Sequence, residues 1–144
     1  MQKTSTAAVL LLALMSSPVL AADPSGTWMS EDGGTRVRIS NCGESLCGSV
    51  VWLKNPIDKT TGKPKTDKFN PDDGKKNRPM LGLQVILGMK PNGTDRWSGQ
   101  IYNADDGKTY RSNLMLQSPT KARVEGCVLQ IICIGESWTK VAER

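Results

Sequence analysis

Turn-forming residues cut this chain into segments too short for helices with a buried face. Asp32-Gly33-Gly34, Asn41 to Ser45, Pro91-Asn92-Gly93, Asp105-Asp106-Gly107 and Ser118-Pro119-Thr120 punctuate it. Gly, Asn and Asp accept the backbone angles of tight turns, and Pro presets one of them. Between these breaks the apolar residues recur with a period of two. Val37 and Ile39 face one side of Thr35–Ser40, while Arg36 and Arg38 face the other. That alternation is the mark of a half-buried strand. The same reading places strands at Gly26–Met29, Leu46–Lys54, Pro79–Met89, Trp97–Tyr102, Lys108–Leu116, Lys121–Val128 and Glu136–Val141. Pro79–Met89 reads as one apolar strand bent at its glycines, Gly82 and Gly88. In Leu46–Lys54, residues Leu46, Val50 and Trp52 are expected on one face, and Val51 and Leu53 on the other.

About eight strands with short connections leave no room for crossover helices, so the pairing is mainly antiparallel. The predicted class is all-β: a small antiparallel barrel of about eight strands with one long loop. Closure removes exposed strand edges, and eight strands just enclose side chains or one small ligand. A sandwich is the alternative. An outer-membrane barrel needs apolar faces over about 9–11 residues per strand and aromatic girdles. Seven aromatic residues in the whole chain do not supply them.

The long loop is Asn55–Arg78, polar and rich in Lys, Asp, Pro and Gly, with Phe69 nearly alone as an apolar residue. A loop of this length inside a small domain points to a lid or an ordered excursion.

The N-terminus reads as a secretory signal over residues 1–22. Lys3 supplies the positive charge, Ala7 to Met15 the apolar core, and Val19-Leu20-Ala21-Ala22 the small residues of a cleavage site. The apolar core is shorter than the roughly 20 residues that span a bilayer. Residues 23–144 are then one domain, periplasmic or secreted, with no later segment apolar enough to cross a membrane as a helix.

Export places the four cysteines, Cys42, Cys47, Cys127 and Cys133, in an oxidising compartment, where an even count implies disulfides. The sequence-local pairs Cys42–Cys47 and Cys127–Cys133 are preferred over links between the two clusters. A four-thiolate zinc site is disfavoured, because Cys127 and Cys133 are too far apart for the usual spacing.

The chain has no His, which excludes Ser–His and Cys–His nucleophile pairs and His-ligated metals. Asp72-Asp73-Gly74 and Asp105-Asp106-Gly107 are paired carboxylates, but each sits in turn-forming sequence. The spacing of a calcium loop and the phosphate-binding Gly-rich loop are both missing. No enzyme activity, cofactor or metal is expected. Without Lys3 the chain carries 18 basic against 14 acidic residues, a net +4. The charges are interleaved, as on ordinary surface. Export argues against nucleic acid as the partner and leaves an anionic envelope component open.

Several motifs occur together: Gly26-Thr27-Trp28, Cys42-Gly43-Glu44-Ser45-Leu46-Cys47-Gly48, Val51-Trp52-Leu53, Asp67 with Asn70-Pro71, and Arg78-Pro79. Further along come Gly82, Trp97-Ser98-Gly99, Ile101-Tyr102, Gly107-Lys108-Thr109-Tyr110, Gly126-Cys127 and Trp138-Thr139. In this order they resemble the secreted bacterial family of domain of unknown function 2147 (DUF2147), over nearly the whole mature chain. The resemblance implies a lipocalin-like β-barrel and no particular reaction. The early Gly-x-Trp is similar to the lipocalin signature, whose Trp plugs one barrel end.

The expected function is binding of a small apolar or amphiphilic ligand. Trp52, Trp97, Tyr102 and Tyr110 are the candidate lining residues, with Asp67, Asn70 and Arg78 shaping an entrance under the long loop. A protein- or envelope-surface-binding module with a filled barrel is the alternative. Trp28 and Trp138 are assigned to core closure.

Overall fold

The computed structural model describes residues 22–129 and 131–143. The proposed signal segment, apart from Ala22, lies outside them. Eight strands run in chain order: β1 (Gly26–Met29), β2 (Thr35–Cys42), β3 (Ser45–Leu53), β4 (Gln84–Pro91), β5 (Arg96–Asn103), β6 (Lys108–Ser118), β7 (Lys121–Val128) and β8 (Ile132–Val141). Each pairs antiparallel with its neighbours, and β1 pairs with β8 to close the barrel. Only a one-turn 3-10 helix, Asp73–Lys75, interrupts the β pattern among the described residues. None of their helices is long and apolar enough to cross a membrane.

The period of two in the sequence becomes the inside and outside of the wall. Val37 and Ile39 are buried, whereas Arg38 is exposed. Trp28, Leu46, Val50, Ile86, Met89, Leu114, Ala122 and Trp138 join them in one core. Small residues make room for large ones. A Cβ added at Gly48 would stand 2.8 Å from the Ile86 side chain, and one at Gly99 2.8 Å from the Met89 backbone. This end of the barrel is filled, and Trp28 closes it with its indole N–H donating to Pro24 O at 2.9 Å.

Three expectations change, the first being that β8 begins at Ile132, four residues before the expected Glu136. Pro79–Met89 is not one strand. Met80 to Leu83 fold as a turn, with Leu83 N–H donating to Met80 O at 3.1 Å. That turn docks on β3, where Val50 both accepts from Gly82 and donates to Leu83. The regular strand starts at Gln84 and bends at Gly88, whose φ of 61° only glycine adopts freely. Trp52 also leaves the face predicted for it. A bulge on β3 pairs Val37 with Val50 but Arg36 with Trp52, so Val51 is the extra residue. One inserted residue reverses the alternation beyond it. Leu53 therefore packs against the core, and Trp52 lies outside with the Arg36 guanidinium 4.6 Å from its ring centre.

The cysteines form the two local disulfides, Cys42–Cys47 across the β2–β3 turn and Cys127–Cys133 between β7 and β8. No free thiolate remains for a metal.

The long excursion is ordered. It makes bridges Ile57–Pro64 and Thr66–Pro79 within itself. It folds back along the outer wall of β4 and β5, where Val85 and Tyr102 become buried although they alternate with the inward Ile86 and Ile101. The excursion also presses on the β5–β6 turn. A Cβ on Gly107 would meet Phe69 O at 1.9 Å, and its φ of 70° lies in the left-handed region.

Candidate functional site

The β7–β8 hairpin rises above its neighbours. β1 reaches only Thr139, Lys140 and Val141 of β8, so the first half of β8 has β7 alone beside it. Glu31 caps part of that free edge by accepting from Ser137 N–H at 2.7 Å. The barrel is therefore open at this end, and a cavity of about 510 Å³ occupies it.

Strand phase dictates the lining. Trp138 is buried in the core, so Glu136, Ile134 and Ile132 share its inward face at steps of two. They pair with Val124, Gly126 and Val128, and across the barrel Ile101 pairs with Tyr110. The walls are thus Ile101, Val124, Val128 and Ile134, with Tyr110 at one side. Gly126 keeps the space open, since a Cβ there would be in ordinary contact, 3.7 Å, with Ile101 and Tyr110. Ile134 is 75% exposed, which is possible for an inward residue only because the mouth is open.

Glu136, Asp105 and Asn103 bring polar groups to the lining, Glu136 opposite Val124 and two residues from the buried Trp138. Trp138 Nε1–H donates to one Glu136 oxygen. Tyr110 O–H donates to Asp106, and this bond, followed by desolvation and the carboxylate charge, raises the Tyr110 pKa above its ordinary value. Val128, Leu129, Ile131, Ile132 and Ile134 are all exposed on the hairpin beside the mouth.

A second constellation fixes the excursion to the wall. Asp67 is fully buried. Its Oδ1 accepts from Tyr102 O–H at 2.6 Å. Its Oδ2 accepts from Arg78 Nε at 2.8 Å and from Asn70 Nδ2 at 2.9 Å, and Arg78 adds a second nitrogen at 2.8 Å. Asn70 Oδ1 in turn accepts from Asp72 N–H. A buried carboxylate is tolerable when its lone pairs are filled in this way. The Arg78 guanidinium also lies 5.5 Å from the Tyr102 ring centre.

Of the residues singled out from the sequence, Asp67, Asn70, Arg78 and Tyr102 are brought together in this network. Tyr102 and Tyr110 border the cavity. Trp97 packs against the filled core, and Trp52 is on the outer wall. The sequence reading marks Asp105 only as one of a carboxylate pair in a turn, and Glu136, Gly126, Val128 and Ile134 not as site residues. Counting back by twos from Trp138 would have found Glu136 and Ile134, but that strand was expected to begin only at Glu136.

Burial, then the bond to Asp67, raises the Tyr102 pKa above 10.0. The folded form therefore keeps this proton at pH values where the unfolded chain has lost it. Tyr102 contributes its full stability below about pH 10 and loses it as pH rises through that range. The gap between thermal melts of wild type and Tyr102→Phe should stay constant up to about pH 10 and narrow as pH rises above it. A gap that stays constant there as well would show that the phenol does not titrate with unfolding.

A family model described as an uncharacterized protein conserved in bacteria (DUF2147) matches residues 26–140. Among solved structures, protein HP1028 from the human pathogen Helicobacter pylori, described as belonging to the lipocalin family, superposes with a TM-score of 0.71. The two are 18% identical, over 85% of this chain and 86% of that one. A search of curated proteins finds no match. The structural likeness bears on the fold alone.

Proposed function

Since the chain belongs to the DUF2147 family, we propose that it is a non-catalytic carrier holding a small, partly apolar ligand in the open half of its barrel. The observation that carries this reading is the cavity: about 510 Å³, walled by Ile101, Val124, Val128 and Ile134, with Glu136, Asp105 and Asn103 among its few polar side chains. Small-molecule sites have this size and this division between apolar wall and a few orienting polar groups. Tyr110 contacts the ligand on this reading, and the Asp67–Asn70–Arg78 network, bound to Tyr102 on the outer face of β5, holds the adjoining wall in place. The working compartment is outside the cytoplasm, supported by the residue 1–22 signal pattern and two disulfides.

Native mass spectrometry of the protein, purified gently from its own cell envelope, should show a reproducible added mass of a few hundred daltons, on the order of a ligand that fits such a pocket. Gly126→Leu fills the cavity from an ordinary strand position and should abolish that added mass while the fold is kept. A bare chain in the wild type, or an added mass unaffected by Gly126→Leu, would overturn the reading.

One observation favours a second reading, a surface- or protein-binding module. Leu129 and Ile131 are 82% and 83% exposed at the hairpin tip. Envelope association lost in a Leu129→Ser, Ile131→Ser variant that still carries its ligand would support it.

A further inference from the structure

The cavity is negative although the chain is basic. Its lining contains the carboxylates Glu136 and Asp105 and no Lys or Arg. Asp106 lies beside it, holding the Tyr110 hydroxyl, and Glu31 caps the free edge of β8 at the same end. None of these four acids is in an ion pair among the described residues. The excursion is different: Asp58, Asp67, Asp72 and Asp73 are paired with Lys68, Arg78, Lys75 and Lys76. Lys108 opens β6 at the same rim, exposed and outside the lining. With one Lys against four acids, the cavity and its surroundings carry net negative charge next to a low-dielectric wall, an arrangement that focuses the field on an entering ligand.

We propose that this cavity selects amphiphiles with a cationic head, such as alkylamines and quaternary ammonium compounds, over anionic ones of the same chain length. The inference rests on the reading of the cavity as a ligand site. The head meets the Glu136 carboxylate, with Asp105 in the same lining, and the apolar tail lies against Ile101, Val128 and Ile134. The Trp138 indole occupies one Glu136 oxygen and leaves the other for the ligand. The Tyr110 ring adds an aromatic face for the cation. A carboxylate or sulfate head in the same position would face like charge with no basic side chain in the lining to offset it.

The test is calorimetric titration of the purified protein at pH 7 and low salt with decyltrimethylammonium, decanol and decanoate, all below their aggregation concentrations. The ammonium compound should bind at least about tenfold more tightly than decanol, and decanoate most weakly. Added salt should narrow that spread. Glu136→Gln combined with Asp105→Asn keeps the acceptor for the Trp138 N–H and should bring the three affinities together. Decanol and decanoate binding as well as the ammonium compound, with the double variant unchanged, would overturn the charge selection and leave the cavity as a carrier site. No binding by any of the three would overturn both.

Discussion

Replacing Asp67 with Ala is expected to destabilise the protein by about 3–5 kcal/mol, the usual cost of removing one partner from a buried, hydrogen-bonded charge pair. The carboxylate is fully buried and receives Tyr102, Arg78 and Asn70 together. Its loss leaves the buried Tyr102 hydroxyl without its acceptor and the Asn70 amide with only the Tyr102 oxygen, 2.9 Å away. Arg78 is 40% exposed and can turn to water, which puts the effect toward the lower end of that range. Asp67→Asn should cost less, because an amide oxygen still accepts from Tyr102. Urea melts followed by circular dichroism give the magnitude. Proteolysis shows where it acts: cleavage within residues 55–78 should appear well below the global transition. A variant that melts like wild type and resists cleavage would mean that the excursion is held by its backbone bonds alone.

Trp28→Ala should cost a similar amount, about 3–5 kcal/mol. Trp28 is fully buried on the four-residue strand that closes the barrel against both β2 and β8. Removing the indole leaves a cavity between short elements, and β1 has few other contacts with which to hold its place. It also strands Pro24 O, which accepts from Trp28 Nε1. Trp28→Phe should recover much of the loss by filling most of the volume, but not the hydrogen bond. An unchanged melting curve for Trp28→Ala would remove Trp28 from the role of closing residue.

The two variants separate two kinds of legibility. The resemblance of Gly26-Thr27-Trp28 to the lipocalin signature points to Trp28 as a core-closing residue, and its burial agrees. The sequence suggests Asp67, Asn70 and Arg78 as an entrance under the long loop. They do meet, but as a satisfied network on the outer face of β5, and the cavity lies at the barrel mouth instead. Of the carboxylates that give the cavity its charge, the sequence marks only Asp105 and Asp106, as a pair within a turn.

What the sequence determined by itself is whatever repeats locally. The alternation of Val37 and Ile39 with Arg36 and Arg38 decides which side of a strand is buried, since burial of apolar area favours one face whatever the neighbour is. Gly, Pro, Asn and Asp decide where the strands stop, because turn angles are a property of single residues. The two cysteine clusters lay near enough along the chain to favour local disulfides, and those are the ones formed. What only the tertiary structure decided depends on pairing between distant strands. The bulge that turns Trp52 outward exists only in the register of β2 against β3. The open half of the barrel exists only because β1 ends at Met29 while β8 continues past it. Neither is encoded in a local pattern: a strand's own residues state which face is apolar, but not how many residues its neighbour sets against it.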